Sequence, residues 1–322
     1  MVRAVSIYAP IQEELAQVEG ALQAIKRLDF PQLSEMLDAV LASGGKMLRP
    51  SVALLAGKFG NDHQELLVPL AASIELLHTA TLVHDDVIDK ASTRRGRPTA
   101  NSLFDNSASV MLGDYMFAHA ADLTARTGNI EVVRVFSRTL MAMASGELGQ
   151  DMTAYDYSQT TRQYFQRIAG KTASLFAAAA EGGAIVSGAP EAWRRALRDY
   201  GENLGIAFQI VDDILDFSGD EAEMGKPVGS DLLQGTLTLP SLLLMERRPH
   251  DNPVERFFRH RRSSRYLAEA VEMVLNSGIL DECYRVAGEF RSRAQAALDA
   301  LPATPARESL ADIADYVVKR KT

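Results

Sequence analysis

Apolar residues recur every three or four positions along most of this chain. The pattern is clearest over residues 11–25, 66–88, 131–148 and 194–217. Such spacing lines one face of an α-helix and predicts amphipathic helices there. Runs that alternate apolar and polar residues at strand length are absent. Turn chemistry breaks the periodic stretches at Asp29-Phe30-Pro31, Thr127-Gly128-Asn129, Ser187-Gly188-Ala189-Pro190 and Pro249-His250-Asp251-Asn252-Pro253. We expect roughly ten to thirteen helices, with ends placed to within a few residues. Short connections make successive helices antiparallel neighbours. The fold class is all-α, an antiparallel helical bundle, with residues 1–322 as a single domain. The longest irregular stretch with charge and glycine, 218–231, directly follows an acidic motif and reads as a functional loop, not a linker.

Composition narrows the function classes. With 322 residues and 47% hydrophobic content, the chain can bury a large core. No window holds ~18 uninterrupted apolar residues, so no transmembrane segment is expected. Residues 1–13 lack a basic stretch followed by an apolar run, so no signal peptide is expected either. Cys283 is the one cysteine. It excludes an internal disulfide framework and a cysteine-built zinc site, and a cytoplasmic setting follows. The net charge of −8 argues against nucleic acid as partner, because phosphate backbones attract basic surfaces. Acid is concentrated at 85–89 and 212–220, base at 94–97 and 247–262. Acid beside base suggests metal and phosphate in one place.

The two acid clusters are near copies. Leu82-Val83-His84-Asp85-Asp86-Val87-Ile88-Asp89 resembles Gln209-Ile210-Val211-Asp212-Asp213-Ile214-Leu215-Asp216. On a helix, Asp85 and Asp89 share a face with Asp86 beside them, and Asp212, Asp216 and Asp213 repeat the arrangement. Clustered carboxylates repel one another, and burial worsens this. A cation offsets that penalty, and hard oxygen ligands select magnesium or calcium. A single such cluster reads as a solvated acidic face; two copies flanked by Val, Ile and Leu read as metal sites. An EF-hand is excluded, because its glycine and terminal glutamate are missing at both places.

Basic residues accompany the acids. Arg94 and Arg95 follow Asp89 closely, and arginine pairs bidentately with phosphate oxygens. Gly44-Gly45-Lys46-Met47-Leu48-Arg49-Pro50 offers two positive heads beside glycines that admit a ligand; a helix C-cap and turn is the alternative reading. Gly170-Lys171-Thr172 mimics the end of a P-loop, but Phe165 stands where the first glycine belongs. Lys171 and Thr172 remain able to reach a diphosphate, as does Lys226 in the loop after the second cluster. Glu75 and His78 match half of a di-iron motif that needs a second copy, which is absent. His78 lies about two turns before Asp85, where it lines a cavity or packs in the core.

Together and in order, these residues resemble the trans-isoprenyl diphosphate synthases, closest to the long-chain quinone side-chain enzymes. The match runs from Gly44-Gly45-Lys46 through both Asp motifs and Gly170-Lys171-Thr172 to Gly225-Lys226 and Thr238-Leu239-Pro240. Thr236 stands where the family often has lysine. The resemblance implies a bundle around a deep central cavity, usually homodimeric. It implies Asp85, Asp86, Asp89, Asp212 and Asp216 as ligands of magnesium, three ions with diphosphate bound, Asp216 through water. Arg94, Lys171, Thr172, Gln209 and Lys226 would hold the allylic diphosphate. Lys46, Arg49, His78 and Arg95 would hold isopentenyl diphosphate. Among these, Asp85, Asp86, Arg94, Lys171, Asp212 and Lys226 carry the chemistry.

Product length should follow from how far the growing tail runs along the helix before Asp85. Short-chain members carry an aromatic four or five positions earlier, where this chain has Thr81 and Ala80. With Leu77 beside them and Phe136 and Met143 closing the tunnel further down, we expect roughly eight to ten isoprene units, about C40–C50. Ala80→Tyr should then release short products. The alternatives are a geranylgeranyl- or farnesyl-length synthase and a non-catalytic partner subunit of a heteromeric synthase. A terpene cyclase would usually replace the second motif with an Asn/Ser/Glu triad, which is absent here.

Overall fold

Helices form wherever the apolar periodicity predicts them. The computed structural model describes residues 7–26, 29–42, 45–61, 63–94, 96–219, 227–260 and 263–320. Among these, fourteen helices run for seven residues or more, one beyond the expected range. The extra one arises because Thr161–Ile168 and Ser174–Val186 are joined without a loop, through the π-helical turn Ala169–Ala173. Periodicity carries no signal for such an insertion. The sole sheet among the described residues pairs Thr93–Arg94 with Arg97–Pro98 as a minimal antiparallel hairpin.

The chain divides into two compact units. The first comprises Met1–Leu140, Leu175–Gly201 and Gln295–Ile313; the second comprises Met141–Ser174, Glu202–Ala294 and Ala314–Thr322.

In the first unit, helix Gln64–Ile88 packs on Asn106–Ala125, Leu48–Gly57 and Gln12–Ala24. Leu76 and Leu77 are fully buried, each contributing about 1.5–3 kcal/mol. Polar contacts set the register. The Ser73 hydroxyl donates to the Ala120 carbonyl at 2.7 Å and lies 2.6 Å from Thr124 Oγ1. His84 Nε2 sits 3.0 Å from the Val110 carbonyl oxygen, and its ring meets Phe117 edge-on. Ser73, Leu77, Ala80 and His84 form one stripe by helical spacing, and that stripe meets Asn106–Ala125. Gln64–Ile88 has the length and mean hydropathy, 1.7, to cross a membrane, but 61% of that window is buried within the protein. A core helix of a water-soluble protein passes the same test.

The core of the second unit gathers Tyr164, Ile210, Ile214, Phe217, Leu237, Phe257 and Cys283. Its helices begin where cap residues satisfy the first free N–H groups. Thr160 and Gln163 form a capping box ahead of Thr161–Ile168. Ahead of Leu239–Arg247, the Ser241 hydroxyl oxygen accepts from the Thr238 N–H at 2.9 Å, with Pro240 in the first turn. Asn252 accepts from the Val254 N–H at 2.9 Å to start Pro253–Arg259.

Candidate active site

The first acidic motif coincides with a helix end. Ala91 N–H donates to the Asp86 carbonyl at 2.9 Å and Lys90 N–H to that of Val87 at 3.3 Å. This is the Schellman pattern, with Lys90 in the left-handed position that glycine usually takes, φ 53°. Asp85 is therefore half-buried in the last turn, Asp86 is buried, and Asp89 is exposed at the C-cap. The hairpin that follows turns through Gly96, φ 73°, and sends Arg94 back. Arg94 Nε and Nη2 each lie 2.8 Å from Asp86 Oδ1. Burial nonetheless raises the Asp86 carboxyl above its ordinary range, against the pull of that guanidinium.

Other expected residues of the first unit are placed as follows. Leu48–Gly57 starts just after Lys46, which is exposed, and Met47, φ 50°. Arg49 is half-buried with its guanidinium 4.4 Å from the centroid of the Phe176 ring. His78 is half-buried, and its carbonyl accepts from the Thr81 hydroxyl at 2.7 Å. Thr81 is half-buried, one turn before Asp85, whereas Leu77 and Ala80 are fully buried. Phe136 is buried as well. Gly44, Arg95 and Lys226 lie outside the described residues.

The second motif sits inside a hydrogen-bonded network. It lies in the last two turns of Glu191–Ser218. The Thr172 hydroxyl donates to Gln209 Oε1 at 2.6 Å. Gln209 Nε2 donates to Asp213 Oδ1 at 2.8 Å, and the Tyr164 phenol donates to Asp213 Oδ2 at 2.6 Å. Burial first, and the negative charge of Asp231 next, push the Asp213 carboxyl up to about 8, against these two donated bonds. Asp212 is half-buried and accepts from Arg320 Nη2 at 2.6 Å. Arg320 also donates to the Phe208 carbonyl at 2.8 Å and stacks 3.9 Å over the Phe208 ring. Asp216 is buried; its Oδ2 accepts from the Asp231 N–H at 3.2 Å and its carbonyl from the Gly229 N–H at 2.8 Å.

Lys171 and Thr172 both fall in the π-turn. An extra residue per turn re-aims side chains, and such bulges concentrate at functional sites. Glycines let helix Ile130–Met152 approach it. A Cβ on Gly146 would stand 2.9 Å from the Lys171 nitrogen, and one on Gly170 would stand 3.1 Å from the Ala142 oxygen. Lys171 Nζ lies 2.5 Å from Glu147 Oε2 and 3.4 Å from Gln150 Oε1 on that helix.

Sequence reasoning missed Tyr164, Arg320 and Glu147. Tyr164 stands two turns before Lys171, but nothing in its neighbours reveals that its phenol meets Asp213. Arg320 lies in the basic run Lys319-Arg320-Lys321, a signal that was present. Among the described residues, no three His, Cys, Asp or Glu side chains converge as a ready metal cage. Hydrogen bonds to neighbouring side chains account for part of this: Asp86 turns to Arg94, Asp212 to Arg320, and Asp213 to Tyr164 and Gln209. The donor set still fits a hard divalent cation, being carboxylate oxygen throughout. The raised Asp86 carboxyl is an unfavourable charge that a cation would relieve.

Comparison with known proteins identifies the family. The family model described as polyprenyl synthetase matches residues 30–274. The chain is 37% identical to heptaprenyl diphosphate synthase component 2 of Bacillus subtilis (strain 168), over 98% of this chain and 90% of that protein. It is 38% identical to octaprenyl diphosphate synthase of Escherichia coli (strain K12), over 96% of each. A polyprenyl synthase from Caulobacter crescentus CB15, solved with calcium and isoprenyl diphosphate, superposes with a TM-score of 0.94 at 35% identity, covering 99% of this chain and 98% of that one. The all-α fold, the ordered motifs and this likeness along nearly the whole length make the chain a member of the polyprenyl synthetase family, a trans-prenyl diphosphate synthase.

Proposed function

We propose that this prenyltransferase condenses isopentenyl diphosphate head-to-tail onto an allylic diphosphate, to a product of roughly eight to ten isoprene units, for use as a quinone side chain. The observation that carries the reading is the direct bond between the two expected diphosphate-binding elements, from Thr172 in the π-turn to Gln209 ahead of the second acidic motif. Lys171, Thr172, Gln209 and Lys226, together with Arg94, hold the allylic diphosphate. Lys46, Arg49, His78 and Arg95 hold isopentenyl diphosphate. Asp85, Asp86, Asp89, Asp212 and Asp216 hold magnesium, and the calcium in the Caulobacter complex supports a divalent cation here. When bound, the metal supplies positive charge opposite the departing pyrophosphate.

The side chains account for the rest of the chemistry. Preorganised cationic groups stabilise the negative charge as it moves onto the leaving pyrophosphate. The allylic carbon becomes a cation, the isopentenyl double bond attacks it, and a proton leaves to the departing pyrophosphate. No protein nucleophile takes part. Water has to be excluded, because it would quench the cation. The long-chain relatives and the small Thr81 support the product length. Exposed apolar side chains support a homodimer: Met111 and Ile130 in the first unit, Met141, Leu148 and Met152 in the second.

The test is incubation of the purified chain with magnesium, farnesyl diphosphate and labelled isopentenyl diphosphate, with products read by mass spectrometry. Long all-trans products support the reading. Absence of incorporation would favour a second one, in which the chain works only with a different subunit. The name "component 2" of the Bacillus relative speaks for that second reading. Products of farnesyl or geranylgeranyl length would retain the activity but overturn the proposed length.

A further inference from the structure

The buried side of the second motif holds an unbroken chain of four polar groups: Tyr164 OH to Asp213, Gln209 Nε2 to Asp213, and Thr172 OH to Gln209. Tyr164 and Asp213 are 1% and 2% exposed, so water does not substitute for a missing partner. The chemistry of the groups sets the direction of the chain. Both Asp213 oxygens accept, one from the Tyr164 phenol and one from the Gln209 amide, which therefore turns its NH2 toward Asp213. Its carbonyl is thereby turned to Thr172, whose hydroxyl donates to it, and the second N–H of the amide is left to donate to an acceptor such as a diphosphate oxygen. Without a fixed Asp213, the Gln209 amide can rotate and present either end.

Tyr164 reaches this point because of its surroundings. It lies two turns before Lys171, and its ring sits beside Phe165 and under the Arg167 guanidinium, 5.7 Å away. Arg167 is itself tied to Gln159 at 2.8 Å and to the Leu237 carbonyl. The phenol is thus held from several sides and has one buried partner.

We propose that Tyr164 is a positioning residue of this enzyme. It fixes Asp213, Asp213 and Thr172 set the orientation of the Gln209 amide from its two ends, and the second N–H of that amide is thereby held ready for the allylic diphosphate before that substrate arrives. The inference rests on the reading of Thr172 and Gln209 as allylic-diphosphate ligands. It differs from the acidic-motif reading in its use of the second aspartate, which orients neighbours and does not bind metal.

A double-mutant cycle tests it, using calorimetric titration with farnesyl thiodiphosphate in magnesium and steady-state KM for both substrates. Tyr164→Phe should weaken the farnesyl analogue ~10-fold, the size expected for one buried hydrogen bond, and leave the isopentenyl KM within about 2-fold. On a Gln209→Ala background the same change should alter analogue binding by less than about 2-fold, because its effect passes through Gln209. Additive losses, or equal losses for both substrates, would overturn the proposal and point to general loosening. Should Tyr164→Phe not fold, Asp213→Asn interrupts the same link; analogue binding unchanged in that variant would overturn the proposal too. If wild-type protein binds the analogue but incorporates no isopentenyl units, the functional reading fails while the cycle still judges Tyr164. If wild-type protein binds no analogue, both fall.

Discussion

Lys90 is a residue doing a glycine's task. Its φ of 53° ends the helix that carries the first acidic motif, and a left-handed non-glycine residue costs roughly 1–2 kcal/mol. Lys90 is also exposed. Lys90→Gly should therefore stabilise the protein by about 0.5–1 kcal/mol, seen as a higher midpoint in urea; a lower one would refute this origin of the strain. Cys283 is the opposite case, wholly buried and beside Asp213. Burial first and that negative charge next push its thiol up to about 12. A raised value keeps the thiol neutral, so thiolate grows only as pH nears that value. Iodoacetamide labelling of native protein should stay flat from about pH 7 to 9, where an ordinary thiol gains reactivity. Unfolding should release one labelled cysteine per chain.

At the scale of elements, the π-turn Ala169–Ala173 concentrates the expected diphosphate contacts and depends on close helix approach. Gly146→Ala would drive a Cβ into the backbone of Lys171, at 2.9 Å. The helix must shift, costing about 1–3 kcal/mol. Thermal stability should fall, and the KM for the allylic substrate should rise more than that for isopentenyl diphosphate. Helix Gln64–Ile88 refines the expectation for product length. Thr81 lies one turn from Asp85 and keeps some exposure, while Ala80 belongs to the stripe that meets Asn106–Ala125 and is wholly buried. Thr81→Tyr should therefore shorten the product, read by chromatography, with little loss of stability. Ala80→Tyr should act on length only together with overpacking of about 1–3 kcal/mol.

For the whole molecule, the proposed carboxylate-only donor set predicts that activity depends on a hard divalent cation. Incorporation of labelled isopentenyl units should vanish in excess chelator and return with magnesium, while circular dichroism stays unchanged. Activity retained in chelator would refute the metal assignment. Sequence alone determined the all-α class, because a 3.6-residue apolar period is a local property of the chain. It also located both acidic motifs and Lys171 and Thr172, since their spacing is local as well. Tertiary structure decided the partners. Tyr164 and Asp213 are 49 residues apart, and Arg320 and Asp212 are 108 apart. Which buried donor meets which acceptor depends on how distant helices pack, and no local pattern encodes that. The π-turn was hidden for a related reason: one inserted residue leaves helix propensity intact and is stabilised by the backbone packed against it.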